Sequence, residues 1–443
     1  RDLKRTLVSF QGNKHEPGFR WFKYKEGFSS ALVDYVFDRC KVSKGKILDP
    51  FAGSGATLFV ASRRGLDSVG IELLPVGCEF ITARRETLSY RSQVIQALRK
   101  WKASNHWIES KHPGTPFPHL AITKGAFPPK NEAWLGKYLR AVANLKDEVV
   151  KSVLRAAALA VLEEISFTRK DGQYLRWDYR SGRRQGKRPF NKGAVKDFNV
   201  AIREKFTLFL EDLEGHSSVF NFTPTARRGE IQVIYGSCLE QLPKLPSNAF
   251  DALMTSPPYC NRYDYTRTYA LELALLGADE ASLRALRQSM VSCTVENREK
   301  EDLDVFLSSA TLEKAKAIFE SQELLHSIVN YLEALRQEDQ LNNNGIPRMV
   351  KNYFWELTLT LIECRRILKP GAPFIMVNDN VRYAGISIPV DLLLSRIAEE
   401  VGFEVEKIWV LPTGKGNSSQ QMGEHGREEL RKCVYVWRVS KRN

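Results

Sequence analysis

The chain has 443 residues, 43% of them hydrophobic, enough for one elaborated domain or two to three smaller ones. It carries 66 Lys and Arg against 52 Asp and Glu, a formal charge of +14, which favours a polyanionic partner, nucleic acid ahead of a membrane surface. No apolar run reaches the roughly 18 residues of a spanning helix, and the seven cysteines are scattered without a C-x-x-C pair, which fits reduced thiols in a cytoplasmic protein and excludes a zinc knuckle or disulfide framework.

The first residues, Arg1 to Thr6, lack both an initiator Met and an apolar stretch, so the start reads as no secretory signal and the chain as trimmed. Residues 1–27 are polar, aromatic and basic. Ser29 or Ser30 is placed to cap a helix over Ala31 to Cys40. Lys46 to Thr57 (KILDPFAGSGAT) then reads as a strand, a glycine turn and the start of a helix that continues from Leu58. Gly53 and Gly55 let backbone approach a ligand closely, and the following helix N-terminus offers N–H donors. The pattern matches neither the dinucleotide G-x-G-x-x-G nor a P-loop. A second strand, Ser68 to Glu72, ends in a carboxylate about 20 positions after the turn, where α/β nucleotide folds accept ribose hydroxyls. A surface glutamate at a strand end is the alternative.

Residues 80–100 read as an Arg-rich helix, and from 101 to 230 an insertion interrupts the α/β alternation. It contains Trp101, His106, Trp107, a proline loop from Pro113 to Pro118 and a periodic helix over Val149 to Ile165. Lys170-Asp171-Gly172 is a turn signal between short alternating runs, predicting a hairpin. Positions 169 to 196 hold ten Lys or Arg against two Asp. Such a run is either a solvated face or a ribbon for DNA, with cations for phosphates and aromatic or amide planes for bases. The candidates are Arg169, Lys170, Gln173, Tyr174, Arg176, Trp177, Arg180, Arg183 and Arg184.

The alternation resumes at Ile231, with a strand and turn through Gly236, Ser237 and Cys238. An apolar run, Phe250 to Met254, reads as a buried strand that stops at Thr255-Ser256-Pro257-Pro258-Tyr259. Two prolines hold a rigid extended turn, Ser256 adds a hydroxyl acceptor and Tyr259 a flat face, which suits a planar ring with an exocyclic amine. A proline strand terminator with a packed tyrosine is the plain alternative. Arg262 and Tyr263 just beyond either hold an extruded nucleotide or belong to a capping loop. Residues 278–345 read as a helical insertion ending in a 342–345 loop. A helix over Tyr353 to Leu368 stops at Lys369-Pro370-Gly371. A strand over Pro373 to Asn378, a helix from Pro389, and strands near Val405–Leu411 and Val434–Trp437 complete the chain, the last two as an antiparallel hairpin. Between them, the polar loop Thr413 to Gln421 either faces DNA or is an inert linker. The expected division is thus 1–100, 101–230, 231–277, 278–345 and 346–443.

Asp-Pro-Phe-x-Gly-x-Gly-x-Thr after one strand and Ser-Pro-Pro-Tyr after another together resemble the amino-group DNA methyltransferases that use S-adenosylmethionine. The serine form is similar to their cytosine-N4 branch. The resemblance implies a Rossmann-like open α/β sheet, mostly parallel with an antiparallel C-terminal strand, carrying two insertions. It implies a cofactor turn at Asp49, Pro50, Phe51, Gly53, Gly55 and Thr57, with Glu72 on the ribose. Phe28 and Ser29, in a stretch resembling the family's N-terminal motif, would close over the methionine end. Ser237 and Cys238 would lie beside the cofactor, although Ser237 stands where the family carries an acid. Ser256, Pro257, Pro258 and Tyr259 would be catalytic. Duplex DNA is the implied partner, with a restriction endonuclease of the same system, and the basic insertion between the two motifs matches the family class that recognises its target there. No Pro-Cys dipeptide occurs, so covalent attack by a cysteine on the ring is not expected, and no metal is expected. Adenine N6, an RNA or protein amide, and an idle DNA-binding subunit are the competing readings.

Overall fold

The computed structural model describes residues 3–104, 106–111, 113–171, 174–186, 188–215, 227–412 and 428–441. The expected polar loop at 413–421 lies outside them, as does Gln173. Seven strands form the central sheet: β1 (Lys46–Asp49), β2 (Asp67–Glu72), β5 (Ile231–Tyr235), β6 (Ala252–Thr255), β7 (Pro373–Asp379), β10 (Phe403–Val410) and β11 (Lys432–Val439). Two short pairs stand apart, β3 (Thr168–Asp171) with β4 (Tyr174–Trp177), and β8 (Val381–Tyr383) with β9 (Ile386–Ile388).

The order across the sheet is β10-β11-β7-β6-β1-β2-β5, parallel from β7 to β5. β11 runs antiparallel to both β7 and β10. The parallel strands are short, nearly continuous apolar runs because both faces are covered. One face packs α1 (Ser30–Arg39), α2 (Ala56–Arg63) and α3 (Pro75–Ser89), and the other packs the helices Ile346–Ile367 and Val390–Val401. The sheet therefore has the Rossmann-like, mostly parallel architecture with antiparallel C-terminal strands that the resemblance implied. Its order reverses between β1 and β6, and in such sheets the crevice at that switch point, beyond the strands' carboxyl ends, receives ligands.

The local causes are mostly visible. The Ser29 hydroxyl accepts from Leu32 N and caps α1. Gly55, at φ +83°, turns the chain into α2. Gly402, at φ +113°, ends the helix Val390–Val401. Gly70 in β2 is glycine for space: a Cβ there would lie 2.6 Å from Leu58 Cδ1 and 2.9 Å from Ala52 Cβ. Gly70→Ala is expected to cost about 1–3 kcal/mol through overpacking, read as a lower thermal midpoint.

The expected helix over 80–100 is two helices, α3 and α4 (Arg91–Ala103), separated at Tyr90. The helix expected from Tyr353 starts at Ile346, and the strand expected at Phe250 starts at Ala252, with Phe250 bridging Leu368 alone. Within 101–230, α5 (Pro129–Ala143), α6 (Glu148–Ile165) and α7 (Phe198–Glu214) pack on one another and on α3 and α4, in one continuous core with the sheet's first face. No described helix is long and apolar enough to cross a membrane. All seven cysteines are unpaired thiols.

Candidate active site

At the switch point the ends of β1 and β6 are joined by a hydrogen bond from Thr255 Oγ1 to Asp49 Oδ1, 2.7 Å. Asp49 is buried, and burial pushes its carboxyl up to about 6 against the pull of the Thr255 and Thr57 hydroxyls. The chain then turns through Gly53, at φ +54°, and Gly55. Gly53 N donates to Glu72 Oε2 at 2.6 Å, and Leu74 N donates to Glu72 Oε1 at 2.7 Å. Glu72 at the end of β2 is thus fixed by two backbone donors. Burial still pushes it up to about 8.

These strand ends enclose a cleft of about 730 Å³, with Tyr24, Phe28, Phe51, Glu72, Ser256 and Tyr265 among its walls. Pro50, Gly53, Ser237, Cys238 and Pro258 also line it. Its mostly apolar lining with a few fixed polar groups is that of a small-molecule site. Of the residues expected at the cofactor, Asp49, Gly55 and Thr57 support the turn from behind. Thr57 Oγ1 donates to Met254 O at 3.2 Å. Ser29 is a helix cap whose hydroxyl donates to Leu7 O, and it stands outside the cleft's lining. Ser237 Oγ donates to Ser289 O at 2.7 Å, bringing the 289–291 segment into the wall.

Ser256 lies at the cleft with its hydroxyl already directed. Oγ is placed to donate either to Val377 O on β7, at 3.1 Å, or to Tyr259 Oη, at 3.2 Å. The single hydroxyl proton serves one of these two acceptors at a time, and in either case an oxygen lone pair remains for an incoming donor. Pro257 is buried and Pro258 faces the cleft. Behind Tyr259 stands Lys432, with Nζ 5.4 Å from the ring centroid and 3.3 Å from Asp379 Oδ1.

Sequence reasoning singled out neither Glu26 nor Tyr269, and it read Tyr265 only as one aromatic of the 261–267 run beyond the prolines. Glu26 lines the cleft, accepts from Tyr269 Oη at 2.5 Å, and is pushed up by burial while Tyr263 and Tyr269 hydroxyls pull it down. Tyr24 and Tyr269 stack at 5.3 Å. These groups come from segments more than 200 positions apart, and only the aromatic density of 19–28 hinted at them.

The basic candidates divide. β3 and β4 pair antiparallel as the expected hairpin, with Arg169, Arg176, Arg180 and Arg184 exposed. Arg176 stacks on Phe190 and pairs with Asp171; Arg180 pairs with Asp178. Lys170 is a correction to the expectation of DNA contact. It is 3% exposed, with Nζ 2.5 Å from Glu272 and over the Phe22 and Tyr269 rings, so it anchors the hairpin to the catalytic core. Its alternation in β3 turns it inward. Arg183 is half-buried over Trp177 and donates to the carbonyls of Ile122 and Lys124, which makes it a loop brace. Gln173 and the Tyr174 side chain are outside the described residues. Arg262, at φ +64°, donates to Asn342, and Tyr263 packs edge-on against Tyr265.

No family model matches the sequence. The type II methyltransferase M.AvaI of Nostoc sp. is 51% identical over 439 residues, 98% of this chain and 89% of that protein, and M.AvaI of Anabaena variabilis matches to the same extent. The type II methyltransferase M.BsoBI of Geobacillus stearothermophilus is 42% identical over 453 residues, 98% of this chain and 88% of its own.

Proposed function

This chain belongs to the type II methyltransferases, enzymes that methylate DNA, and we propose that it moves the methyl group of S-adenosylmethionine to the exocyclic N4 amine of a cytosine turned out of duplex DNA. The observation that carries this reading is Ser256 Oγ, held at the cleft with Val377 O and Tyr259 Oη as acceptors for its proton and a lone pair left to accept.

The residues present fit the cofactor. Glu72 offers carboxylate lone pairs for ribose hydroxyls, the Gly53 turn admits backbone close to the ligand, and Tyr24 and Phe51 supply apolar walls. S-adenosylmethionine supplies a methyl on a sulfonium, an electrophile that needs no further activation. The protein's task lies with the nucleophile. The lone pair of the cytosine amine is delocalised into the ring. Acceptors at Ser256 Oγ and the Pro257 carbonyl would take its two N–H bonds and favour the pyramidal nitrogen whose lone pair faces the methyl. The amine would take the methyl while the bonding pair returns to sulfur, and the methylated nitrogen would then lose its extra proton to solvent water. Alignment supplies most of the rate, and the two dipoles stabilise the charge growing on nitrogen. The base must leave the stack to reach the cleft, with Tyr259 as its aromatic wall. Arg169, Arg176, Arg180, Arg184 and Arg262 would neutralise phosphates, and the product would shield its sites from an endonuclease of the same system.

The test is transfer of labelled methyl to unmethylated plasmid, followed by nucleoside mass analysis. N4-methylcytosine is expected. N6-methyladenine would overturn the base assignment and keep the reaction. No transfer to DNA by a chain that binds the cofactor would overturn the substrate.

A further inference from the structure

Arg84 on α3 is completely buried, and among the described residues no carboxylate comes within ion-pair distance of its guanidinium, the charge of Asp212 acting on it from farther off. Nε donates to Gly18 O at 2.8 Å and Nη1 to Ser54 O at 2.6 Å. The rings of Phe19, Phe80 and Phe59 surround it at 5.2, 5.7 and 5.9 Å. A buried cation without an ion-pair partner is destabilising, and an apolar residue of similar volume would serve packing better. What arginine adds is a planar fork that grips two carbonyls at once.

The two carbonyls belong to the two sides of the cleft. Ser54 sits between Gly53 and Gly55, ahead of α2, and its residue lines the cleft. Gly18 begins the N-terminal segment that runs on to Tyr24, Gly27 and Phe28, also lining residues. Gly18, at φ +78°, is gripped from the other side too. Its N–H donates to Asp212 Oδ2 at 2.7 Å, with Trp21 Nε1 on the same oxygen at 3.0 Å and Arg20 Nε on Oδ1 at 2.7 Å. Asp212 is buried on α7, inside the 101–230 segment, and does not line the cleft. Trp21 stacks on Phe209 of the same helix at 4.0 Å.

We propose that Arg84 is a positioning residue for cofactor binding, spacing the N-terminal segment from the glycine turn, and that Asp212 fixes the far end of this bridge. A residue of the inserted segment, outside the cleft, thereby sets the cleft's affinity. The inference rests on reading the cleft as the S-adenosylmethionine site.

The test is calorimetric titration of the full chain with S-adenosylmethionine, without DNA, at a temperature where every variant is folded. Arg84→Lys keeps the charge and loses the fork; Asp212→Asn keeps the shape and loses the charged acceptor. Each is expected to weaken binding on the order of tenfold. Val94→Ala, a core truncation in α4, lowers the thermal midpoint and leaves the dissociation constant within twofold. Trp21→Phe removes one donor to Asp212 while keeping the ring stack, and shifts affinity in the same direction by a smaller factor. Arg84→Lys, Asp212→Asn and Trp21→Phe all binding within twofold of the unaltered chain would overturn the proposal and leave the bridge a matter of stability. Should one of them fail to fold, the others decide. An unaltered chain that binds no S-adenosylmethionine would overturn the reading of the cleft itself.

Discussion

Ser256→Ala is expected to lower kcat for methyl transfer by about 10²–10³-fold, the usual loss when one preorganised polar contact to a developing charge is removed. The cofactor dissociation constant should stay within twofold, because Glu72, Tyr24 and the Gly53 turn are untouched. The reason lies in the two acceptors beside the hydroxyl. Val377 O at 3.1 Å and Tyr259 Oη at 3.2 Å are both placed to take the Ser256 proton, which leaves its oxygen to accept from a ligand. Alanine removes the acceptor and also leaves Val377 O without that donor, so a small loss of stability, about 1 kcal/mol, accompanies the kinetic loss. The measurement pairs single-turnover methyl transfer with cofactor titration and thermal unfolding. A loss confined to the turnover constant supports the assigned role. Unchanged turnover would remove Ser256 from the chemistry and move the burden to the Pro257 carbonyl.

Much of this site was legible because its parts are local. Two positive-φ glycines between a strand and a helix, an acid at the next strand's end, and two prolines closing a buried strand are each written in consecutive residues. Parallel β–α alternation then brings all three to one sheet edge. What escaped depends on contacts that sequence separation hides. Lys170 reads as one of ten cations in a basic run, and only Glu272, 102 positions away, turns it into a buried anchor. Glu26 gains its place from Tyr269, 243 positions distant. Arg84 sits in an unremarkable helix, and its role comes from two backbone carbonyls, which carry no side-chain signal at all. Ser29 shows the converse: a residue matched by position alone, whose hydroxyl caps α1 at Leu32 N, donates to Leu7 O and stands outside the cleft's lining.

With Glu72 on the ribose, as proposed, cofactor binding is expected to depend on pH, and the sign follows from its surroundings. Burial is the largest influence and raises the carboxyl from an ordinary 4.5 to about 8; Leu74 and Gly53 N–H bonds pull it down, and nearby Asp49 pushes it further up. Between those two values the folded chain holds a proton that the unfolded chain has released. This contribution to stability is therefore complete below about pH 4.5 and falls as pH rises towards 8. Binding runs the other way. Ribose hydroxyls donating to Glu72 favour the carboxylate, so the complex forms with release of about one proton near pH 7. Affinity for S-adenosylmethionine should rise from pH 6 to 8, by at most tenfold per unit, and level off above 8. Titrations in two buffers of different ionisation enthalpy read the proton directly. Glu72→Gln should weaken binding by about 10²-fold, since charge-assisted bonds are worth roughly 1.5–3 kcal/mol each, and its affinity should be flat across that range. Asp49, the other carboxyl at this edge, titrates lower, at about 6. A slope surviving in Glu72→Gln and centred there would assign the proton to Asp49 instead, and with it the task of coupling the β1–β6 junction to the cofactor.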